Sequence, residues 1–555
     1  MTELRDHCER RLGALKSERS SWEAHWRELA EYLLPRLGRW THSDVNRGNK
    51  RNASIVDDTA TLALRTARSG LASGLTSPAR PWFRLGTRDP MLSEWGPVKL
   101  WLGTVQELMR EVFARSNTYN ALGSIYEELL LFGTGAAVQY ADHEDVVRTY
   151  PYTCGEYFAA VGPRLQVDAL YREHTLTVKQ TVDTYGRDAV STQVANHYDR
   201  GDYDTRVTLG HAVEVNDDKR GEREDAAGKA WRSVHWEVGA PKGKVLRVAG
   251  FEETPFFTPR WDAAPGDAYG RSPAMDALGD TKQLQVQQTK KGQAIAKMVN
   301  PPLVAPSSLR GREINVLPGG VTYLDPEMGQ QALAPAYVVQ FRIAELVQDM
   351  AETRQRISRA FYEDLFLMLT MSDRRQITAT EVAERHEEKL LMLGPVLERL
   401  QTELLAPLID RTFALMLRAG LVPPAPEELQ GEPLKVEYIS VLAQAQRLVG
   451  LGSVDRLVGF VGGLAALDPG VVDKLDLDQA VDEYGEMLGV PPTVVRPDDV
   501  VAEIRAKRAQ AEQAAQMLAM AQQGAGIGKD LAAAKTGGSA PQRNLLTDTL
   551  AGMGV

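Results

Sequence analysis

The chain has 555 residues, of which 43% are hydrophobic and 25% charged, and a net charge of −10. That length exceeds what one hydrophobic core organises and predicts about three or four lobes, while the near-average composition excludes bulk disorder. The acidic balance excludes a protein whose whole surface grips nucleic acid, since tight phosphate binding needs concentrated Lys and Arg.

Cys8 and Cys154 are the only cysteines, too few for a disulfide framework or a cysteine metal site, and they point to a reducing compartment. The start, MTELRDHCERRLG, has no apolar h-region, so no signal peptide is expected. The most apolar stretch, Leu448 to Leu467, is interrupted by Asp455 and Arg456 and carries five glycines. No membrane span is expected from it.

Residues 2 to 33 read as a helix with Trp22, Trp26, Leu29 and Leu33 on one stripe, ended by Pro35. The segment Arg36 to Asn52 is basic, with Arg36, Arg39, Arg47, Lys50 and Arg51 against Asp44 alone. It reads equally as a solvated loop and as a contact with DNA or a neighbouring subunit. Residues 97 to 115 form an amphipathic core helix through Val98, Trp101, Leu102, Val105, Leu108, Met109, Val112 and Phe113. A further helix, about 118 to 132, stops at Gly133 and Gly135. From Ala136 to about Arg260 the period changes to short β-like runs, AAVQY, EYFAAV, RVTLGHAVEV, SVHWEV and KVLRVAGF. A helix-like stretch, Thr175 to Gly186, interrupts them, and Asn216 to Lys229 reads as a charged, solvated hairpin tip or loop.

Ser272 and Pro273 supply an N-cap and a first helical residue. From Thr281 to Arg312 the basic residues Lys282, Lys290, Lys291, Lys297, Arg310 and Arg312 face no acidic residue. With Gln283, Gln285, Gln287, Gln288 and Gln293 they predict a helix that is polar nearly all round, which cannot build a core alone. A proline-rich stretch with β-like pieces, Asn300 to Pro335, follows. A second long helix is expected over Val338 to Leu369, about 48 Å in length. Its stripe is Val339, Ile343, Leu346, Val347, Met350, Ile357, Phe361 and Leu365. After a break at MSDRRQ, Thr378 and Glu381 predict a capping box opening a helix to about Ala419, kinked at Pro395 and Pro407. Residues 440 to 490 read as three short helices, Val500 to Gln523 as an Ala/Gln-rich helix, and the end from Gly524 as a mobile tail.

Five blocks occur along this frame in one order. They are NASIVDDTATLALRTARSGLASGLTSPARPWFRL (Asn52 to Leu85), SNTYNALGSIYEELLLFGTGAA (Ser116 to Ala137), YGRSPAMDALGDTKQLQ (Tyr269 to Gln285), NPPLVAP (Asn300 to Pro306) and RRQITATEV (Arg374 to Val382). Together they resemble podovirus-type portal proteins, the head-to-tail connector family, over most of residues 1 to about 510. The resemblance implies an α+β, mainly helical fold and a portal-type ring subunit. Its regions are a wing over 1–271, a first stem helix over 272–299, a clip over 300–335 and a second stem helix over 336–370. A tunnel loop over 371–377, a long kinked wing helix over 378–435, a crown over 436–508 and a C-terminal helix and tail over 509–555 complete it.

The same resemblance implies a homo-oligomeric ring of about twelve copies at one vertex of the capsid, assembled in the host cytoplasm. Double-stranded DNA would pass through it without sequence reading, in packaging and later in ejection. The remaining partners are terminase, the major capsid or scaffold protein and a tail adaptor. Met371, Ser372, Asp373, Arg374, Arg375 and Gln376 are then the DNA-facing tunnel loop. Lys282, Lys290, Lys291 and Lys297 are basic stem residues for DNA contact, and Arg310 and Arg312 belong to the clip. An acidic channel with local basic rings would repel DNA from its wall and let it slide.

The chemistry of an enzyme is missing from the pattern. GAGIGKD has Gln523 where a phosphate loop needs its first Gly, and Asp530 where it needs Ser or Thr. His386-Glu387-Glu388 lacks the second His of a zinc protease, and Ser73 in GLASG is one residue out of register for a nucleophile elbow. Asp57 and Asp58 diverge by about 100° on a helix, so they read as caps of the helix that follows and not as metal ligands. No catalysis, cofactor or metal is expected. The rival readings are a tail or collar adaptor ring and, less favoured, a DNA-translocating ATPase or nuclease.

Overall fold

The computed structural model describes residues 2–40, 52–217, 225–240, 245–304, 334–335, 342–370, 392–429, 431–448, 452–465, 469–481, 496 and 500–515. Helix α1 (Thr2–Tyr32) spans two cores. Its second half carries Trp26, Leu29 and Leu33 into the main core, where Trp26 donates its indole N–H to the Phe132 carbonyl at 3.2 Å. Its first half lays Cys8, Leu12 and Leu15 on a β-sheet core built from Phe158, Tyr171, Ala212, Val234 and Trp236. Arg19 joins the two, with its guanidinium 3.9 Å from the centre of the Phe158 ring and bonds to the Gly155 and Tyr157 carbonyls.

The main core is helical. Helix α2 (Thr59–Leu75) buries Ala60, Ala63, Leu64, Ala67, Gly70 and Leu71, a small-residue face that lets neighbours approach closely. Gly70 is required there, because a Cβ would lie 2.4 Å from the Phe366 Cβ. Strand β1 (Phe83–Thr87) and the short α3 (Pro90–Glu94) lead to α4 (Gly96–Arg115). Helix α5 (Thr118–Phe132) follows and ends as expected at Gly133, whose φ of 81° is the left-handed cap.

The β-rich part forms two sheets. Strands β2 (Ala136–Asp142) and β3 (Val146–Tyr152) pair antiparallel. The β4 (Tyr157–Val161), β5 (Val167–Thr177), β6 (Arg206–Val215), β7 (Trp231–Glu237), β8 (Arg247–Phe251) meander makes a five-stranded antiparallel sheet. Strand β9 (Phe256–Phe257) adds to β2. Strands β6 and β7 pair antiparallel as neighbours, and of the segment Asn216 to Lys229 between them residues 218–224 lie outside the described residues.

The helix expected over Thr175 to Gly186 is shorter. Residues through Thr177 finish β5, and α6 (Val178–Tyr185) begins only where Thr177 and Gln180 close a capping box. A second helix, α7 (Thr192–Asp199), capped by Ser191, went unexpected. Together they cover the far face of the sheet through Val178, Val182, Val190 and Val194.

Helix α8 (Pro273–Val299) starts as expected, with the Ser272 hydroxyl accepting from the Met275 N–H at 3.1 Å. Strands β10 (Leu303–Val304) and β11 (Ala334–Pro335) pair antiparallel and bring the two ends of the proline-rich stretch together. The second long helix is two helices, α9 (Ile343–Ala360) and α10 (Glu363–Thr370). Tyr362 breaks it at a φ of 53°, a conformation rare for a bulky residue, and Phe361, Leu365 and Phe366 are thereby all turned into the main core.

The kink expected near Pro407 is a π-helical turn. Residues 392–400 are α-helical, Gln401–Leu405 form the π turn, and α11 (Ala406–Arg418) continues to the expected stop at Gly420. A proline has no N–H to give the carbonyl one turn back, and the wider turn absorbs that loss. Strand β12 (Leu434–Tyr438) returns to pair with β1. Helices α12 (Val441–Leu448) and α13 (Gly452–Ala465) follow, and residues 500–515 are helical. Among the described residues no helix is long and apolar enough to cross a membrane.

Candidate functional site: the root of a two-helix arm

Three of the five quoted blocks, Asn52 to Leu85, Ser116 to Ala137 and Tyr269 to Gln285, meet in space. Gly133 and Gly270 press back to back, where a Cβ on Gly133 would lie 2.1 Å from the Gly270 carbonyl oxygen. The Gly270 N–H donates to the Thr134 hydroxyl at 2.8 Å and the Ser272 hydroxyl to the Leu131 carbonyl at 2.8 Å. The start of α8 is thus fixed on the end of α5.

About three turns further, α8 is locked to the first block. The Gln285 side-chain oxygen accepts the N–H groups of Val56 at 2.7 Å and Asp57 at 2.8 Å, and its amide donates to the Asp57 carbonyl at 2.8 Å. Of the two expected caps, Asp58 stands at the N-cap position but makes no side-chain cap bond, and it is Asp57, one residue earlier, that accepts from the Thr59 N–H and hydroxyl. Its other oxygen takes Arg354 of α9 at 2.6 Å. Burial alone would raise the Asp57 carboxyl, but the hydrogen bonds from Thr59 and Arg354 outweigh it and hold the group below its usual range. With both oxygens taken, this carboxylate is a clamp and not a metal ligand. Among the described residues no group of three or more His, Cys, Asp or Glu is placed to hold a metal. Ser73 makes only a local bond to the Gly70 carbonyl.

The expectation that α8 is polar nearly all round and builds no core therefore fails for its inner part, and the outer part, though unburied, carries Val286, Ile295, Met298 and Val299 as exposed apolar residues. Ala274, Met275, Ala277, Leu278, Thr281, Leu284 and Gln285 are buried, whereas no residue from Val286 to Val299 is. Those last residues, about 21 Å of helix, run with the first turns of α9 as a two-helix arm. Arg356 bonds Asp280 at 2.9 Å, and Gln287 bonds Asp349, which fixes the register of the two helices.

The basic residues singled out in α8 differ in setting. Lys282 is tied to Glu28 of α1 and sits over the Tyr32 ring. Lys290 and Lys297 are exposed and Lys291 is half-buried on the arm. Met371, Ser372, Asp373, Arg374, Arg375, Gln376, Arg310 and Arg312 lie outside the described residues, as do the Thr378–Glu381 capping box and the glycine-rich GAGIGKD. Gln285 and Arg354 were missed as root residues. The available signal was that Gln285 falls on the stripe Ala274, Leu278, Thr281, which is the core side of α8.

Residues 5–495 match the family described as bacteriophage head to tail connecting protein. The chain is 47% identical over 528 residues to the portal protein of Salmonella phage epsilon15, covering 95% of each. It is 46% identical over 538 residues to a probable portal protein of Bordetella phage BPP-1, covering 97% of this chain and 96% of that one. A solved assembly described as the neck of an empty GTA particle computed with C6 symmetry aligns at 13% identity and a TM-score of 0.30, over 78% of this chain and 93% of that one. The chain belongs to the bacteriophage head to tail connecting protein family. It is a structural connector of the phage particle and not an enzyme.

Proposed function

We propose that the chain forms a closed ring of about twelve copies at one capsid vertex, through which double-stranded DNA enters during packaging and leaves at ejection. Near full-length identity to two portal proteins carries this reading. The two-helix arm supports it, because no residue from Val286 to Val299 is fully buried within one chain and a ring offers neighbours to cover it.

In this reading α8 and α9 are the stem and the stretch between β10 and β11 is the clip that docks terminase. Residues 371–377 are a loop facing the channel, 436–508 the crown, and assembly takes place in the host cytoplasm before the tail adaptor joins. Negative-stain imaging and light scattering of the purified protein, alone and with scaffold or capsid protein, test it. Rings with a central pore are expected. A species that stays monomeric across protein concentration and salt, with and without those partners, overturns it.

A further inference from the structure

The arm has two outer edges. Asp280 and Gln287 of α8, and Asp349 and Arg356 of α9, bond across the hairpin and so mark the sides on which the helices face each other. On the opposite side of α8, Val286, Thr289, Gln293 and Ala296 recur at steps of three and four, and all are exposed. On the opposite side of α9, Ala344, Val347 and Ala351 do the same. Val286 is 59% exposed and Val347 43%. Nearer the root, α1 covers the α8 edge through Glu28 and Lys282, and beyond Lys282 that cover ends.

The two edges match in height. The cross-hairpin bonds pair 280 with 356 and 287 with 349, which puts Thr289 level with Val347, and Val286 one turn nearer the root. Copies related by rotation about an axis along the arm keep their levels, so the α8 edge of one copy would meet the α9 edge of the next with Thr289 level with Val347 and Val286 within one turn of it. Such a contact is heterologous and closes a ring. The small residues Ala344, Ala351 and Ala296 allow close helix approach, about 8 Å between axes.

We propose that the subunit contact of the arm is this edge-to-edge packing, with Val286 and Thr289 of one copy against Val347 of its neighbour. The proposal rests on the ring reading. The charged stripes, Lys290 and Lys297 on α8 with Glu345 and Glu352 on α9, then lie outside the contact.

Disulfide trapping tests it, since the native Cys8 and Cys154 are both buried and a bridge needs Cα atoms within about 7 Å. The double variant Thr289→Cys with Val347→Cys should give a ladder of covalent multimers on a non-reducing gel after mild oxidation of assembled protein, lost on reduction. Each single variant should give none, because the two edges differ. Within one chain the two positions lie on opposite sides of the hairpin and cannot bridge. Independently, Val347→Asp should raise the protein concentration for half-assembly at least about tenfold, because it buries an unpaired charge at the contact, with the melting of the chain unchanged. Rings on imaging without a ladder, or a ladder from Lys290→Cys with Glu345→Cys in its place, overturn the edge contact and leave the ring standing. Absence of rings in the unmodified protein counts against the ring reading itself.

Discussion

The two halves of α8 share one helix and differ in what holds them. The root half places Ala274, Leu278, Thr281 and Gln285 at helical spacing and buries all four. The outer half keeps the helical form but has no fully buried residue, leaving Val286, Ile295, Met298 and Val299 exposed. Helix propensity alone does not sustain an isolated segment of that length, so the root templates the helix and the arm is left for assembly. Stability and assembly are thereby divided along a single element.

That division predicts opposite phenotypes two residues apart. Leu284 is fully buried, and Leu284→Ala should cost about 3 kcal/mol and lower the melting temperature of the chain. Val286→Ala should leave melting within about 0.5 kcal/mol and weaken assembly instead. Thermal melts of the unassembled chain, set beside light scattering, read both. Equal effects on melting would show that the arm already has its cover within one chain.

Acid should separate the regions by a second route. The described residues of the arm carry no histidine, whereas the five-stranded sheet stacks His211 on His235, ring centres 4.0 Å apart, with His174 half-buried on the neighbouring strand β5. In strand register Arg172 lies opposite His211 and Arg247 opposite His235. Tyr185 and His235 share a hydrogen bond of 3.0 Å, as do Ser233 and His211. Among the described residues the carboxylate that bonds this row is Glu156, which pairs with Arg172.

Burial first, then the neighbouring cations, push His174 down to about 3 and His235 to about 4, and burial holds His211 well below its usual value. In the unfolded chain these imidazoles take a proton near pH 6.5 and the folded sheet refuses it. Stability from them is therefore complete above about pH 6.5 and falls as the pH drops toward 4. At pH 5 the loss through His235 alone is about 2 kcal/mol. His235→Gln should flatten the fall in melting temperature between pH 7 and pH 5. An unchanged slope would place the acid sensitivity elsewhere.

Much of the root was legible in the sequence. Gly133 as a helix stop, Ser272 and Pro273 as a start, and the stripe of Trp26, Leu29 and Leu33 all follow from local rules. Gln285 was not, because a buried glutamine is recognised only by its partners, and these lie 228 and 229 positions earlier in the chain. The break at Tyr362 was also hidden. Its positive φ has no sequence signature and follows from the turn of Phe361, Leu365 and Phe366 into the core. The strand-to-helix change at Thr177 was blurred because its flanking residues suit either period until the cap is seen closed.

The smallest expected effect on stability belongs to Arg374 and Arg375, which lie beyond the described part of α10. If residues 371–377 face the channel, two arginines per copy place about two dozen guanidinium groups around the DNA in a ring of twelve. Each can hold a phosphate through two hydrogen bonds, and the release of condensed counterions makes that contact weaken with salt. Such a collar would retain packaged DNA without reading its sequence. Replacing both with Ala should leave ring assembly and the melting of the chain nearly unchanged, because a loop in an open channel adds little to packing. Filled heads should leak DNA faster, most visibly at low salt, where the native contact is strongest. If the double variant instead abolishes rings, while the few that form hold DNA normally, the two arginines are partners at the subunit contact. The arm and the loop after it would then both belong to assembly, and the channel would have to hold its DNA by other groups.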